Sequence, residues 1–230
     1  MKNIAGSLEL ILGKIRLAEQ KYGRNPGSVK LLAVSKTRSI GDICAARECG
    51  QLDFGENYVQ EAIDKITGIT GHLLIWHFIG PVQSNKTNQI ASHFQWIHSL
   101  DRLKIARRLS DARPQHLPPL NICIQVNISN ETSKSGVSPE ELLQLAAACR
   151  GLPNLRLRGL MTLPEPCTDL EQQRVPFRQL KTLLDSVNSS ISSEQPLDTL
   201  SMGTTNDMEA AIAEGATIVR IGTALFGARV

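Results

Sequence analysis

Eight short apolar runs, most of them separated by stretches of helical periodicity, constrain this chain more than any other feature. The runs lie at 30–35, 52–54, 74–79, 95–99, 120–126, 155–161, 197–201 and 217–221. They are rich in Val, Ile and Leu, as strands covered on both faces are. Helical spacing of apolar residues marks Ile40 to Cys49, Asn57 to Ile66, Leu103 to Leu109, Leu142 to Cys149, Phe177 to Val187 and Met208 to Ala213. Such alternation predicts parallel βαβ units. Eight of them in 230 residues predict an α/β fold, a single-domain (β/α)8 TIM barrel. The rival is a doubly wound open sheet, which would bind its ligand at a topological switch point. Ahead of the first run, Ile4, Leu8, Ile11, Leu12, Ile15 and Ala18 predict an extra N-terminal helix over about 2–22. Gly23 and the Asn25-Pro26-Gly27 turn end it. No composition shift marks a linker, so residues 1–230 read as one domain.

Composition removes several classes of function. The net charge of +3 is mild and the Lys and Arg residues are scattered, so no nucleic-acid partner is expected. No apolar run is long enough to span a bilayer, and the first residues carry no signal-peptide core. No membrane association is expected, and the chain reads as a cytoplasmic protein. The cysteines are Cys44, Cys49, Cys123, Cys149 and Cys167. Their odd number and the lack of Cys-x-x-Cys spacing argue for free thiols in a reducing compartment. The histidines show no metal-ligand spacing, so no metal is expected.

In a barrel, chemistry gathers at the C-terminal ends of the strands. Lys36 closes the first run. The second leads into Gly55-Glu56-Asn57-Tyr58 and the third into His77-Phe78-Ile79-Gly80, with Lys86 beyond. The fifth ends at Asn127, followed by Ser133-Lys134-Ser135-Gly136, and the sixth near Met161. The seventh ends at Ser201-Met202-Gly203 and the eighth at Gly222-Thr223. Glycines and hydroxyls opening short helices suit a phosphate dianion, although each alone is also an ordinary tight turn. A strand-end lysine, a phosphate cup and Arg220 are together what an aldehyde cofactor such as pyridoxal 5′-phosphate needs. The lysine would form the Schiff base. The arginine, if it faces the pyridine nitrogen, would keep that atom unprotonated and weaken the ring as an electron sink. Bland readings stand beside these: His77 as a satisfied core histidine, Met161 as packing, Asn57 as a helix cap, and Lys86 and Lys134 as solvated loop lysines.

The motifs resemble those of one family over nearly the whole length. They are Leu32-Ala33-Val34-Ser35-Lys36-Thr37, Phe54-Gly55-Glu56-Asn57-Tyr58-Val59-Gln60-Glu61 and Trp76-His77-Phe78-Ile79-Gly80-Pro81-Val82-Gln83-Ser84-Asn85-Lys86. In the second half they are Ser133-Lys134-Ser135-Gly136, Arg158-Gly159-Leu160-Met161, Leu200-Ser201-Met202-Gly203 and Val219-Arg220-Ile221-Gly222-Thr223-Ala224-Leu225-Phe226-Gly227. The chain resembles the pyridoxal phosphate homeostasis proteins, also called the YggS or PROSC family. The resemblance implies a barrel like the N-terminal domain of alanine racemase, with an internal aldimine on Lys36. It implies phosphate contacts from Ser201, Gly222 and Thr223, with Arg220 near the pyridine nitrogen. Asn57, His77, Met161 and Gly203, read from their places at the same ends of the strands, complete the expected cofactor-site residues. One departure is visible: the family's Ser-Met-Gly-Met-Ser-x-Asp reads Ser201-Met202-Gly203-Thr204-Thr205-Asn206-Asp207 here.

Three functions compete. The first is a carrier that holds pyridoxal phosphate and supplies it to apo-enzymes in vitamin B6 homeostasis. The second is a weak pyridoxal-dependent amino-acid racemase. The third is a barrel for another phosphorylated metabolite, which leaves Lys36 and Arg220 unexplained as a pair. Racemisation needs an acid/base on each face of the substrate. The chain reads as ending soon after the eighth strand, so no second domain is expected to supply the other one. The only tyrosines are Tyr22 and Tyr58. The carrier is therefore favoured, and a monomer is expected.

Overall fold

The computed structural model describes residues 3–71, 73–129, 135–191 and 195–228. Its strands are β1 (Lys30–Val34), β2 (Asp53–Glu56), β3 (Ile75–Phe78), β4 (Trp96–Leu100), β5 (Leu120–Gln125), β6 (Leu155–Met161), β7 (Thr199–Ser201) and β8 (Ile218–Ile221). They pair in chain order and close into a barrel. Closure is made by parallel pairing of β1 with β8, Lys30 opposite Ile218 and Ala33 opposite Ile221. An open sheet would leave both of those edges unpaired, so the rival fold is excluded.

The helices are α1 (Ile4–Lys21), α2 (Ile40–Glu48), α3 (Val59–Gly68), α4 (Thr87–His93), α5 (Leu103–Ala112), α6 (Pro139–Arg150), α7 (Leu170–Ser190), α8 (Met208–Ala213) and α9 (Thr223–Phe226). α1 starts where the Asn3 side chain accepts the Gly6 N–H at 2.9 Å. It buries Ile4, Leu8, Ile11, Ile15 and Ala18 against α2, α8 and α9. α2 and α6 each open on a capping box, Ser39 with Asp42 and Ser138 with Glu141. Fully buried Phe54, Phe78, Phe94, Phe177 and Phe226 belong to one continuous apolar core.

Two helices depart from the periodicity. α4, preceded by a single 3-10 turn at Ser84–Lys86, was not expected at all. It is short and polar, and buries only Thr87, Ile90 and Ala91. α7 begins at Leu170 rather than Phe177, because Asp169 caps it by accepting the Gln172 N–H at 2.8 Å. Its first turns are polar and contain Pro176, so the buried stripe starts only at Phe177.

Among the described residues, no helix is long and apolar enough to cross a membrane. No group of His, Cys, Asp and Glu there could hold a metal ion.

Candidate functional site

At the C-terminal end of the strands lies a cleft of ≈ 610 Å³. Lys36, Asn57, Met161, Arg220, Gly222 and Thr223 line it, with Val34, Ile79 and Gln125 between them and Thr204, Thr205 and Asn206 on the β7 side. It runs into a larger cleft over the β5 and β6 loops, and Gln125, Ser135, Leu163, Thr204 and Asn206 are common to both.

Lys36 leaves the end of β1 on a tightly held loop. Before it, the Ser35 N–H donates to the Gly55 carbonyl at 2.9 Å and its hydroxyl to Glu56 Oε1 at 2.7 Å. After it, Thr37 has φ 62°, a left-handed conformation that a β-branched residue adopts only under constraint. The constraint is visible. The Thr37 N–H donates to Glu61 Oε1, and Lys65 Nζ donates to Glu61 Oε1 at 2.6 Å. The same Nζ reaches Glu56 Oε1 and the Ser35 carbonyl, both at 2.7 Å. Lys65 and Glu56 are buried. Burial raises the Glu56 pKa, and the bonds from Lys65 and Ser35 oppose that rise. Sequence reasoning missed this strap. Its one local signal was the i,i+4 pair Glu61 and Lys65 on α3.

The floor is Arg220. Its Nη1 donates to the Ser201 carbonyl at 2.6 Å and the Ser201 hydroxyl at 2.9 Å, and its Nη2 to the Thr162 carbonyl at 2.8 Å. Burial lowers its pKa to about 10, with Asp207 and Cys123 acting against the fall. It remains a fixed cation at neutral pH.

Asn57 does not cap α3. The N-cap is Tyr58, which makes no side-chain cap bond. Asn57 Oδ1 is buried with no hydrogen-bond partner, a costly state for a carboxamide unless a ligand meets it. The backbone there is fixed by Gly80, where a Cβ would stand 2.2 Å from the Asn57 carbonyl oxygen. On the opposite side, the N–H groups of Leu225 and Phe226 both return to the Gly222 carbonyl. The N–H groups of Thr223 and Ala224 therefore precede the first intrahelical bond of α9.

Three expected cofactor residues sit behind the cleft wall rather than in it. His77 is fully buried, and both of its ring nitrogens are engaged, Nε2 with Asp53 and Nδ1 with His98, each at 2.9 Å. The Ser201 hydroxyl is buried between Arg220 and His98. Gly203 has φ 93°, and a Cβ there would stand 2.5 Å from that of Ala211, so it is a close-packed turn. The hydroxyls and turn actually in the wall are Thr204, Thr205 and Asn206. Thr204 donates both its N–H and its hydroxyl to Asp207 Oδ1. Lys86 lies in the 3-10 turn and does not line the cleft. Ser133 and Lys134 lie outside the described residues. Tyr58 is exposed and outside the cleft, and the Tyr22 hydroxyl donates to Glu209 at 3.0 Å.

The model of the alanine racemase N-terminal domain matches residues 8–230. The chain is 56% identical to the pyridoxal phosphate homeostasis protein of Pseudomonas aeruginosa, covering all of this chain and 97% of that one. It is 52% identical to the protein of that name from Escherichia coli K12, over 100% and 98% of the two chains. The structure of PipY from Synechococcus elongatus with PLP bound superposes with a TM-score of 0.81 at 35% identity, over 92% of this chain and 98% of that one. Fold and site thus define a barrel of the alanine racemase N-terminal type. Within that class the chain belongs to the pyridoxal phosphate homeostasis protein family.

Proposed function

We propose that the protein binds pyridoxal 5′-phosphate in this cleft, attached through Lys36 Nζ, and supplies it to apo-enzymes. The observation that carries the reading is the gathering of one lysine, one buried arginine, the α9 first turn and a buried carboxamide oxygen without a partner around a single cleft. The group fits these residues. Its aldehyde condenses with a primary amine, with loss of water, to give a carbon–nitrogen double bond.

Lys36 is the amine that the Glu56–Lys65–Glu61 strap holds at the cleft. Thr223, its N–H and that of Ala224 would meet the phosphate, with Thr205 on the facing loop. Asn57 would meet a ring hydroxyl, its partnerless Oδ1 accepting the hydroxyl proton. Arg220 would sit toward the ring nitrogen, its Nη atoms already bound to Ser201 and Thr162. A permanent cation there disfavours protonation of the ring and so limits carbanion chemistry.

Racemisation is less well served. Neither tyrosine lines the cleft, so no phenol stands ready as the second acid/base. A cleft continuous with a wide mouth suits handing the cofactor over. The five cysteines are free thiols, which supports a reducing, cytoplasmic setting.

The test is a visible absorption spectrum of the purified protein after incubation with pyridoxal phosphate and gel filtration, followed by addition of an apo-enzyme. A retained chromophore that decays as the apo-enzyme gains activity is expected. No retained chromophore would refute the reading. Turnover of L-alanine to D-alanine at an enzymatic rate would favour the racemase.

A further inference from the structure

Behind the cleft, a chain of buried polar side chains crosses the barrel. Asp53 is the first residue of β2, at the end of the barrel away from the cleft. His77 is on β3, His98 on β4, Ser201 on β7 and Arg220 on β8. The contacts are Asp53 Oδ1 to His77 Nε2 at 2.9 Å, His77 Nδ1 to His98 Nε2 at 2.9 Å, and His98 Nδ1 to Ser201 Oγ at 2.7 Å. Arg220 Nη1 completes it at 2.9 Å from Ser201 Oγ. β4 and β7 are not neighbours in the sheet, so the histidine–serine bond spans the interior. Both imidazoles are fully buried.

The direction of every bond is fixed by the two ends. A guanidinium can only donate and a carboxylate can only accept. With neutral imidazoles between them, one assignment satisfies all four contacts. Arg220 donates to Ser201, Ser201 to His98 Nδ1, His98 Nε2–H to His77 Nδ1, and His77 Nε2–H to Asp53. Burial lowers the pKa of His77, and that of His98 well below its ordinary value, so neutrality is the expected state. Other groups face the chain. Lys30 lies 3.1 Å from Asp53, and Trp96 stacks on His77 at 5.5 Å between ring centroids. Asp207 and Cys123 act on Arg220 through space. Among the described residues no carboxylate contacts Arg220 directly, and its bonded partners are neutral oxygens.

We propose that Asp53 is a positioning residue for Arg220: through His77 and His98 it fixes the Ser201 hydroxyl as a donor to His98, so that a lone pair of that oxygen is turned to the guanidinium on the cleft floor. A carboxylate that fixes an imidazole tautomer from behind is a known device; here two imidazoles and a hydroxyl carry it across the barrel. Its functional consequence rests on the cleft being a pyridoxal phosphate site, but the bond order itself does not.

The experiment begins with cofactor-free protein carrying 15N-labelled histidine, at neutral pH. Long-range 15N–1H correlation distinguishes protonated from bare ring nitrogens, and His77→Gln and His98→Gln assign the signals. Both residues are expected with Nε2 protonated and Nδ1 bare. A bare Nε2, or a doubly protonated ring, at either residue would overturn the proposal. Asp53→Asn can donate as well as accept, so it should release the tautomer of His98, which Asp53 does not touch. An unchanged His98 signal in that variant would equally count against it. In loaded protein, Asp53→Asn should weaken retention of pyridoxal phosphate on dialysis by about threefold to thirtyfold, the range spanned by coupling through side-chain networks. Equal retention would remove the link to the cofactor. If the wild-type protein takes up no pyridoxal phosphate, the proposed function fails while the histidine pattern still decides the bond order.

Discussion

At the scale of single residues, the cleft has, among the described residues, one amine suited to covalent attachment. Lys65 lies close in space but is buried between Glu56 and Glu61. Borohydride reduction of the loaded protein should therefore place a stable label on Lys36, and Lys36→Ala should abolish it; label moving to Lys65 would contradict the site. The cup makes a second prediction. The Thr204 hydroxyl already donates to Asp207, and its N–H does so as well. Thr204→Met removes one of these bonds and leaves the backbone one. It should change cofactor affinity by less than about tenfold, or roughly 1.4 kcal/mol. Gly222→Val should do more harm. Its Cβ would stand 3.2 Å from the Val34 carbonyl oxygen, and the added methyls would crowd a cleft that both residues line. A ranking reversed in dialysis measurements would mean the cup is built differently. That Lys36, Gly222 and Thr223 would gather at one cleft was legible because residue type and strand-end position coincide there, and Arg220 stood out as a charge inside an apolar strand. The roles of His77 and Ser201 were not, because position along a strand does not reveal a bonding partner such as His98, 103 residues from Ser201.

At the scale of elements, the segment from β1 to α3 is organised around Lys36. The buried Lys65 bridges Glu56 on β2 and Glu61 on α3, and it holds the Ser35 carbonyl at 2.7 Å. Removing it leaves Glu56 buried without its counter-charge, and Glu56 Oε2 already lacks a partner. Lys65→Met should cost about 3–5 kcal/mol in urea unfolding, the usual penalty for breaking a buried pair. It should also speed amide exchange at Thr37, whose N–H is held by Glu61. A loss under about 1 kcal/mol with unchanged exchange would show that the strap is not what fixes the Lys36 loop. Apolar spacing located most strands to within a residue or two, because each packs on both faces and carries a clear signal. It failed at α4 and at the start of α7, where the exposed turns are polar; α7 is set by its Asp169 cap, and α4 by packing on its neighbours.

At the scale of the whole molecule, barrel closure was legible from eight strand–helix alternations, while the polar interior was not, since its members are contributed by five separate strands. That interior makes the stability of the fold depend on pH. His77 and His98 are both held below the ordinary histidine value of 6.5, chiefly by burial. The unfolded chain therefore takes up protons near pH 6.5 while the folded barrel does not. Their contribution to stability is complete above that value and is lost as pH falls below it, down to the folded pKa values. Asp53 does not add to the loss in this window. Burial raises its pKa, but the bond from His77 and the nearby Lys30 outweigh this and leave it below 3.8, so its own loss comes only at lower pH. Glu56 runs the other way, since its raised folded pKa adds stability as pH falls through it toward 4.5. Between pH 8 and pH 6 the two histidines therefore remove stability and lower Tm. Calorimetry of cofactor-free protein should show that fall, and His98→Gln should shrink it. A Tm that stays level or rises over the same interval would mean that the two imidazoles are charged inside the barrel, with their hydrogen bonds directed differently from the order drawn here.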